Sequence, residues 1–501
     1  MLASSVYYVL ANVYSSINLW TILALLGAAL WQWWKKPHPR FPPGPRGVPI
    51  LGILPFFGKN PSKSTMHWSL RYGSIMSQRM ASWDVVYVNN YETYYKCFVK
   101  NCNTLNGRPD VKLFSQIHGP NMGLVFKIPS DFCKNQKHLA LTSIRRSTAQ
   151  GQVIHDEFDY FFEHLKMKMG APVDLKPLIY KFTANVISQI AIGKRFGYKH
   201  TKFNDFVSKI EHEFTDPNHA GKVHVCGFFP IMRYIPPFYQ ANEKFCLGQH
   251  HMLAFLRKQV EKSKVNFDPN TVNNFLDVLL HAKTSGDFKG HPEFTDTQIE
   301  VFLKEFFSGG METTSNTLLW CVLALLHLPK YHQLIVEEID SVIGDQKPKM
   351  SHKRNTHVTS AFLQEIWRCM PAVPQTPIHT TLSDLELGGY FLPRGTRVIG
   401  NIWAVHYDPQ VWPDPEKFDP GRHLDKEGKF IRSFKIIPFG IGARFCLGEL
   451  LARTEVFITF VKILQSFRIS PATNPLPPLN DGICFLLYSP HQYQVVLSER
   501  N

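Results

Sequence analysis

The sequence predicts a mainly α fold with a small β region, tethered by one N-terminal helix. Three stretches carry that expectation: an uncharged apolar N-terminus, a capped apolar helix from about Asp296 to His327, and a glycine-flanked strand-like segment, Gly388–Val398. The 501 residues could hold roughly two to four ordinary domains, yet no repeat, Gly/Ser linker or low-complexity break divides them. One large unit over 50–501 is the simpler reading, preceded by an anchor over 1–34 and a basic proline-rich hinge over 35–49.

The anchor comes first. Met1 to Trp34 contains no Asp, Glu, Lys or Arg. A helix from about Val13 to Trp34 would span roughly 30 Å, the thickness of a bilayer core. Trp31, Trp33 and Trp34 form an interfacial cluster, and Lys35, Lys36, Arg40 and Arg46 place the rest of the chain on the cytosolic side. A cleaved signal peptide would open on a basic region that is absent here, and a mitochondrial presequence would be rich in arginine. The prolines of Pro37–Pro49 exclude helix and give a stiff extended strap.

The central helix begins at a capping box, Thr295-Asp-Thr-Gln298, and ends at Leu328-Pro329. Ile299, Phe302, Leu303, Phe306 and Gly310 share one face, and Thr317–Leu326 is apolar nearly all round, so the helix should cross the core. Its middle reads Ser308-Gly-Gly-Met-Glu-Thr-Thr-Ser315. Each glycine costs about 1 kcal/mol relative to alanine, which suggests a purposeful deformation. The Thr313 hydroxyl can bond back to the Gly309 carbonyl, loosen the ladder and open a groove. Further on, Gln364–Arg368 sets Glu365 and Arg368 on one helix face, usually a weak surface pair.

The most informative stretch is Pro438-Phe-Gly-Ile-Gly-Ala-Arg-Phe-Cys-Leu-Gly-Glu449. Gly440 and Gly442 permit a tight turn close to a flat macrocycle. The dipole of the following helix would lower the Cys446 pKa and hold a thiolate. Phe439 can shield the sulfur from water, and Arg444 offers a fork suited to a carboxylate such as a haem propionate. Haem iron with a proximal thiolate suits this arrangement best. Phe245-Cys246-Leu-Gly248 repeats the local string without the glycine turn or the arginine, so Cys246 reads as structural.

Composition narrows the partners. Hydrophobic content of 44% and aromatic content of 13% allow a core and an apolar pocket. Nine scattered cysteines without a C-x-x-C pair argue against a disulfide framework and a zinc site. The net charge of +15 lacks any run of five basic residues or a nucleic-acid motif, so a membrane surface or an acidic redox protein fits better than nucleic acid.

The cysteine segment resembles the haem-binding signature of the cytochrome P-450 (haem-thiolate monooxygenase) family, Phe-x-x-Gly-x-Arg-x-Cys-x-Gly, and Gly309–Thr314 resembles its oxygen-activation motif. The latter resemblance implies dioxygen on the iron in that groove, with Thr313 and Glu312 relaying protons to it and the acid leading toward solvent. The resemblance runs from about Phe41 to the C-terminus and is nearest the microsomal clan of drug-metabolising and steroid-hydroxylating members. It implies the cytochrome P-450 fold, and haem b held by Cys446. It makes Glu365 and Arg368, with Arg422 as third partner, a structural lock. His379 matches a position that contacts a propionate. The family's Trp-x-x-x-Arg appears as Cys133-x-x-x-Lys137, keeping the charge but losing the fork.

The resemblance further implies insertion of one atom of dioxygen into a lipophilic molecule (steroid, fatty acid or xenobiotic). NADPH electrons would come through a membrane-bound flavoprotein reductase, with cytochrome b5 as a possible second donor. The endoplasmic reticulum membrane would be the location. The alternatives are a haem-thiolate isomerase or dehydratase acting on a peroxide without reductase, and a membrane-anchored haem sensor. Cys226–Phe238 is aromatic, consistent with a pocket roof, a membrane contact or plain core.

Overall fold

A computed structural model describes residues 19–148, 151–215, 217–284, 288–484 and 486–500. The expected mainly helical architecture with a small β region is present. The central helix, Asp296–His327, has buried side chains over most of its length and organises the rest. Helices Asp131–Thr148, Lys176–Ile192, His357–Cys369 and Glu449–Ser466 gather round it in one core.

The start of the central helix differs in one detail from a capping box. Thr295 accepts from the Gln298 N–H, but the Gln298 side chain does not reach back. It instead pairs with Gly123 in both directions, at 2.7 and 3.0 Å, and with Gln136 at 3.2 Å. The residue that would have closed the cap therefore fastens a distant loop to the helix.

The β region is a four-stranded sheet and smaller pieces. Ile75–Met80 pairs antiparallel with Trp83–Val88, which runs parallel to Arg397–Gly400, and His379–Thr380 closes the far side. The single strand expected over Gly388–Val398 is divided. Gly388 and Gly389 both take positive φ, which folds Leu385–Leu387 onto Tyr390–Leu392 as a hairpin, and only Arg397 onward joins the main sheet.

The proline strap is extended, as expected, but docked. Ser77 and Arg79 on the first strand donate to the Pro43 and Pro45 carbonyls at 2.7 and 3.2 Å. The Ser77 hydroxyl bonds to the Pro42 carbonyl at 2.8 Å. Arg46 pairs with the nearly buried Asp84 and donates to the Trp33 carbonyl at 3.0 Å, which ties the strap to the N-terminal helix. That helix covers Leu19–Trp34, 16 residues. Among the described residues no single helix is long and apolar enough to cross a membrane, and residues 1–18 of the expected anchor lie outside them.

The two central glycines have different reasons. A Cβ on Gly310 would lie 2.3 Å from Ile187 Cδ1, whereas one on Gly309 would meet nothing within 4 Å. Gly310→Ala is expected to lower stability by about 1–3 kcal/mol through overpacking. Gly309→Ala should be neutral or stabilising by up to about 1 kcal/mol. Thermal denaturation of the two variants checks this, and equal midpoints would contradict it.

Candidate active site around Cys446

Gly440 and Gly442 sit at φ +66° and +87°, in the left-handed region. At Gly442 a Cβ would come within 1.8 Å of the Phe98 carbonyl oxygen, so this approach requires glycine. The Cys446 N–H donates to the Phe439 carbonyl at 2.9 Å and closes the loop. The Phe439 ring meets Trp367 edge-on, and the Arg453 guanidinium lies over both rings.

Cys446 is surrounded by protein yet keeps accessible surface, so its sulfur is reachable from within the molecule. Burial pushes its thiol up to about 11, although the Gly448 and Glu449 N–H groups and Lys137 act the other way. The N–H groups at the helix start favour the thiolate, as the sequence suggests, but desolvation outweighs them.

A shell of basic groups adjoins the loop. Lys137 donates to the Ala443 carbonyl at 2.5 Å and lies over the Phe445 ring at 4.1 Å. Burial, reinforced by Arg444, brings its pKa down to about 8. Arg444 does not offer a free fork. Its donors reach Asn106, Leu124, Lys127 and the Cys133 sulfur, so it ties the cysteine loop to residues 106–133. Arg108 is a cation the motifs did not reveal. It is buried, its Nε has no partner, and burial with Arg444 nearby brings its pKa down to about 9.

His379 joins this shell from the sheet. Its Nδ1 lies 2.8 Å from the Leu105 carbonyl, and burial beside Arg108 and Arg444 drives its pKa well down. The neutral ring thus donates to Leu105 and leaves Nε2 as an acceptor. It could donate to a propionate only if that charge protonated it. A soft sulfur donor beside buried cations, one with an orphaned Nε, fits a flat cofactor that carries a metal and carboxylates.

On the central helix, Glu305, Phe306, Gly309, Gly310 and Thr313 form a stripe with accessible surface in an otherwise buried element. The Thr313 hydroxyl donates to the Gly309 carbonyl at 2.7 Å, as the sequence suggests. The helix nonetheless stays α-helical throughout. Beside Gly309 the space is open, with nothing within 4 Å of where a Cβ would stand. Glu312 is fully buried and does not lead to solvent along this stripe. Its Oε1 accepts from Tyr180 Oη at 2.6 Å, and burial pushes its pKa up to about 8.

Glu365, Arg368 and Arg422 come together. Arg368 binds Glu365 through two bonds of 2.8 Å, and Arg422 Nε adds a third at 3.1 Å. His423 and the Asp419 N–H complete the carboxylate's shell, neither legible from the Glu-x-x-Arg spacing. Arg368 also donates to the His406 carbonyl at 3.0 Å, and His406 Nε2 accepts the Ile437 N–H at 2.7 Å. Ile437 immediately precedes the cysteine loop. The lock therefore reaches the loop through His406, which burial keeps neutral with a pKa of about 3.

Cys246 lies within helix Phe238–Val265, packed against a small apolar cluster around Phe245 and without a turn or donors like those at Cys446. A small pocket nearby is lined by Leu113, Phe114, Val223, Phe245 and Leu486, with His219 and His224. The Cys226–Phe238 segment turns outward after Phe228. Ile231, Tyr234 and Ile235 are exposed, and Phe228 packs on Trp83 at 5.1 Å.

The family model described as Cytochrome P450 matches residues 42–497. Cytochrome P450 18a1 of Drosophila melanogaster is 31% identical over 500 residues, covering 96% of this chain and 91% of the relative. Cytochrome P450 2U1 of Bos taurus is 29% identical, covering 97% and 94%. Steroid 17-alpha-hydroxylase/17,20 lyase of Squalus acanthias is 29% identical, covering 86% of each.

Burial alone would raise Glu365, but Arg368 and His423 bring it down to about 2. A depressed carboxylate stabilises above its unfolded pKa of about 4.3 and loses that contribution as pH falls through about 2. Glu365→Gln should remove it at every pH and, by leaving Arg368 buried without its counter-charge, cost about 3–5 kcal/mol. Denaturation of the variant between neutral and acid pH measures this. A midpoint matching the wild type at pH 7 would refute it.

Proposed function

The chain belongs to the cytochrome P450 family, whose members are haem-thiolate monooxygenases, and we propose that it inserts one atom of dioxygen into a lipophilic small molecule, with Cys446 as the residue that would hold the iron of haem b. The observation that carries this reading is the accessible Cys446 in its two-glycine turn, beside buried cations of which Arg108 keeps an unpaired Nε.

Haem b, when bound, supplies the iron at which dioxygen is reduced. Cys446 would hold the metal, and Phe439 would keep water from the sulfur's side. Arg108 and Lys137 would bind the cofactor's carboxylates, and His379 would join them once protonated. Arg444 would position the loop. The Thr313 hydroxyl would stand on the open stripe beside Gly309, and Glu312 would hold the proton in reserve. Glu365, Arg368 and Arg422 would keep the loop in place without moving protons.

Electrons would come from NADPH through a membrane-bound flavoprotein reductase, with cytochrome b5 as a second donor. Lys134, Arg145 and Arg146 are exposed on the helix that carries Lys137, and Arg432 is exposed upstream of the cysteine loop. That basic surface suits an acidic partner. The endoplasmic reticulum membrane is the proposed location. Ile22, Leu23, Trp31 and Trp34 are exposed on the N-terminal helix, and Ile231, Tyr234 and Ile235 present a second apolar patch. Trp33 lies between Arg46 and Arg79 on the hairpin whose tip, Trp83, touches Phe228, which brings both patches near one edge of the fold.

The reduced carbon monoxide complex should show the red-shifted Soret band of thiolate ligation. Cys446→Ala should abolish the band, and Cys246→Ala should leave it. A band that survives Cys446→Ala would refute the assignment. Product formation should require NADPH and reductase, and turnover of a peroxide without them would favour the isomerase reading.

A further inference from the structure

The edge of the main sheet gathers more positive charge than it neutralises. Asp84 lies opposite Arg79 on the neighbouring strand, and both of its oxygens are taken, one by Arg46 and one by Arg79. Arg397, on the next strand, pairs with Val85 and so points to the opposite face from Asp84. Its guanidinium forms no hydrogen bond or ion pair with any described residue, and its Nε is buried without a partner. It lies over the Trp83 ring at 4.3 Å. The carboxylate nearest this third arginine is thus already occupied by the other two. Burial pulls the Arg397 pKa down and Asp84 acts against that shift, yet an arginine stays charged at physiological pH. A half-buried cation without a counter-charge is costly until a partner arrives from outside the chain.

The surroundings of Arg397 identify that partner. Trp83 packs on Phe228 at 5.1 Å, and Ile231, Tyr234 and Ile235 are exposed just beyond. At the hairpin's tip Gly52 bridges Met80, and Val48, Ile50 and Leu51 beside it are exposed. Trp68 and Tyr72 of helix Pro61–Tyr72 pack into the same cluster as Trp83, and Leu70 on that helix is 74% exposed. Exposed aliphatic groups, partly buried rings and an unpaired arginine therefore share one margin of the fold. Rings of this kind settle at the headgroup level of a bilayer, and arginines beside them reach its phosphates.

We propose that Arg397 binds the phosphate of an anionic phospholipid, with Trp83 as the platform beneath its guanidinium. The inference rests on the proposed membrane location and names the lipid that this margin would select. The planar fork can hold two phosphate oxygens at once, which a lysine cannot do. An anionic headgroup is favoured over a zwitterionic one, because Arg46, Arg79 and Arg397 outnumber Asp84 and a choline cation would add to that excess. Inorganic phosphate offers the same oxygens but brings no acyl chains to lie against Ile50, Leu51 and Ile231, so it should bind far more weakly.

The test follows thermal unfolding of the haem-loaded full chain in neutral detergent while a short-chain phosphatidic acid is added, since a ligand of the folded state raises the midpoint. The wild-type midpoint should rise with phosphatidic acid, less with the matching phosphatidylcholine, and not with inorganic phosphate at the same concentration. Arg397→Gln should need roughly 10- to 100-fold more phosphatidic acid for the same rise. Arg397→Lys should fall between the two. Arg394→Gln, at an exposed arginine three residues away, should behave as wild type. An Arg397→Gln response equal to wild type would overturn the proposal. So would phosphatidylcholine matching phosphatidic acid, or inorganic phosphate acting as well as the lipid. A full chain that stays out of phospholipid vesicles would remove the membrane reading itself. A chain that enters them while Arg397→Gln responds as wild type loses only the headgroup site.

Discussion

The carboxylate of Glu365 is the constraint on which the site depends. It is fully buried and accepts from Arg368, Arg422, His423 and the Asp419 backbone. Arg368 then spends its remaining donors on the carbonyls of His406, Pro415 and Lys417. Segments far apart in sequence are thereby pinned to one helix, and His406 carries the pinning to Ile437 at the mouth of the cysteine loop. A buried ion pair is weak evidence of net stability. Its value here is geometric, because a loop with two left-handed glycines needs an external frame to hold one conformation.

Desolvation acts on three buried acids and ends differently each time. At Glu365 it is overcome by Arg368, His423 and the Asp419 N–H, and the group stays charged. At Glu312 one tyrosine and a distant lysine do not suffice, and the group is neutral at pH 7. At Cys446 two backbone N–H groups and Lys137 reduce the penalty without cancelling it. Glu365 is thus held ionic, whereas Glu312 and Cys446 are pushed toward their neutral forms.

The parts legible in the sequence were those whose geometry is local. The cysteine turn, the Glu365–Arg368 pair at i,i+3 and the Thr313–Gly309 bond at i,i−4 follow from spacing and backbone rules alone. What spacing could not give was the far side of each interaction. Arg108, His406, His423 and Tyr180 meet the site through tertiary packing, Tyr180 from 132 residues before Glu312. Glu312 and Thr313 face different surroundings for a related reason: consecutive helical residues point about 100° apart, and the motif does not say which neighbour faces the pocket. Arg444 was assigned to a ligand, but the carbonyls of residues 106–127 hold its fork. The strand over Gly388–Val398 failed because two adjacent glycines adopt the backbone of a hairpin turn, and a run of alternating side chains does not announce that.

The docked strap has a consequence for assembly. Ile75–Met80 is the outermost strand of its sheet, and such a strand offers unpaired N–H groups to any other chain that can lie alongside it. Pro43 and Pro45 take the outward donors of Ser77 and Arg79. Proline has no N–H of its own, so the segment accepts from the strand and gives little back to extend the ladder. The chain thereby ends its own sheet with a residue type that blocks further growth, and a fragment beginning after residue 46 would leave that margin open to self-association.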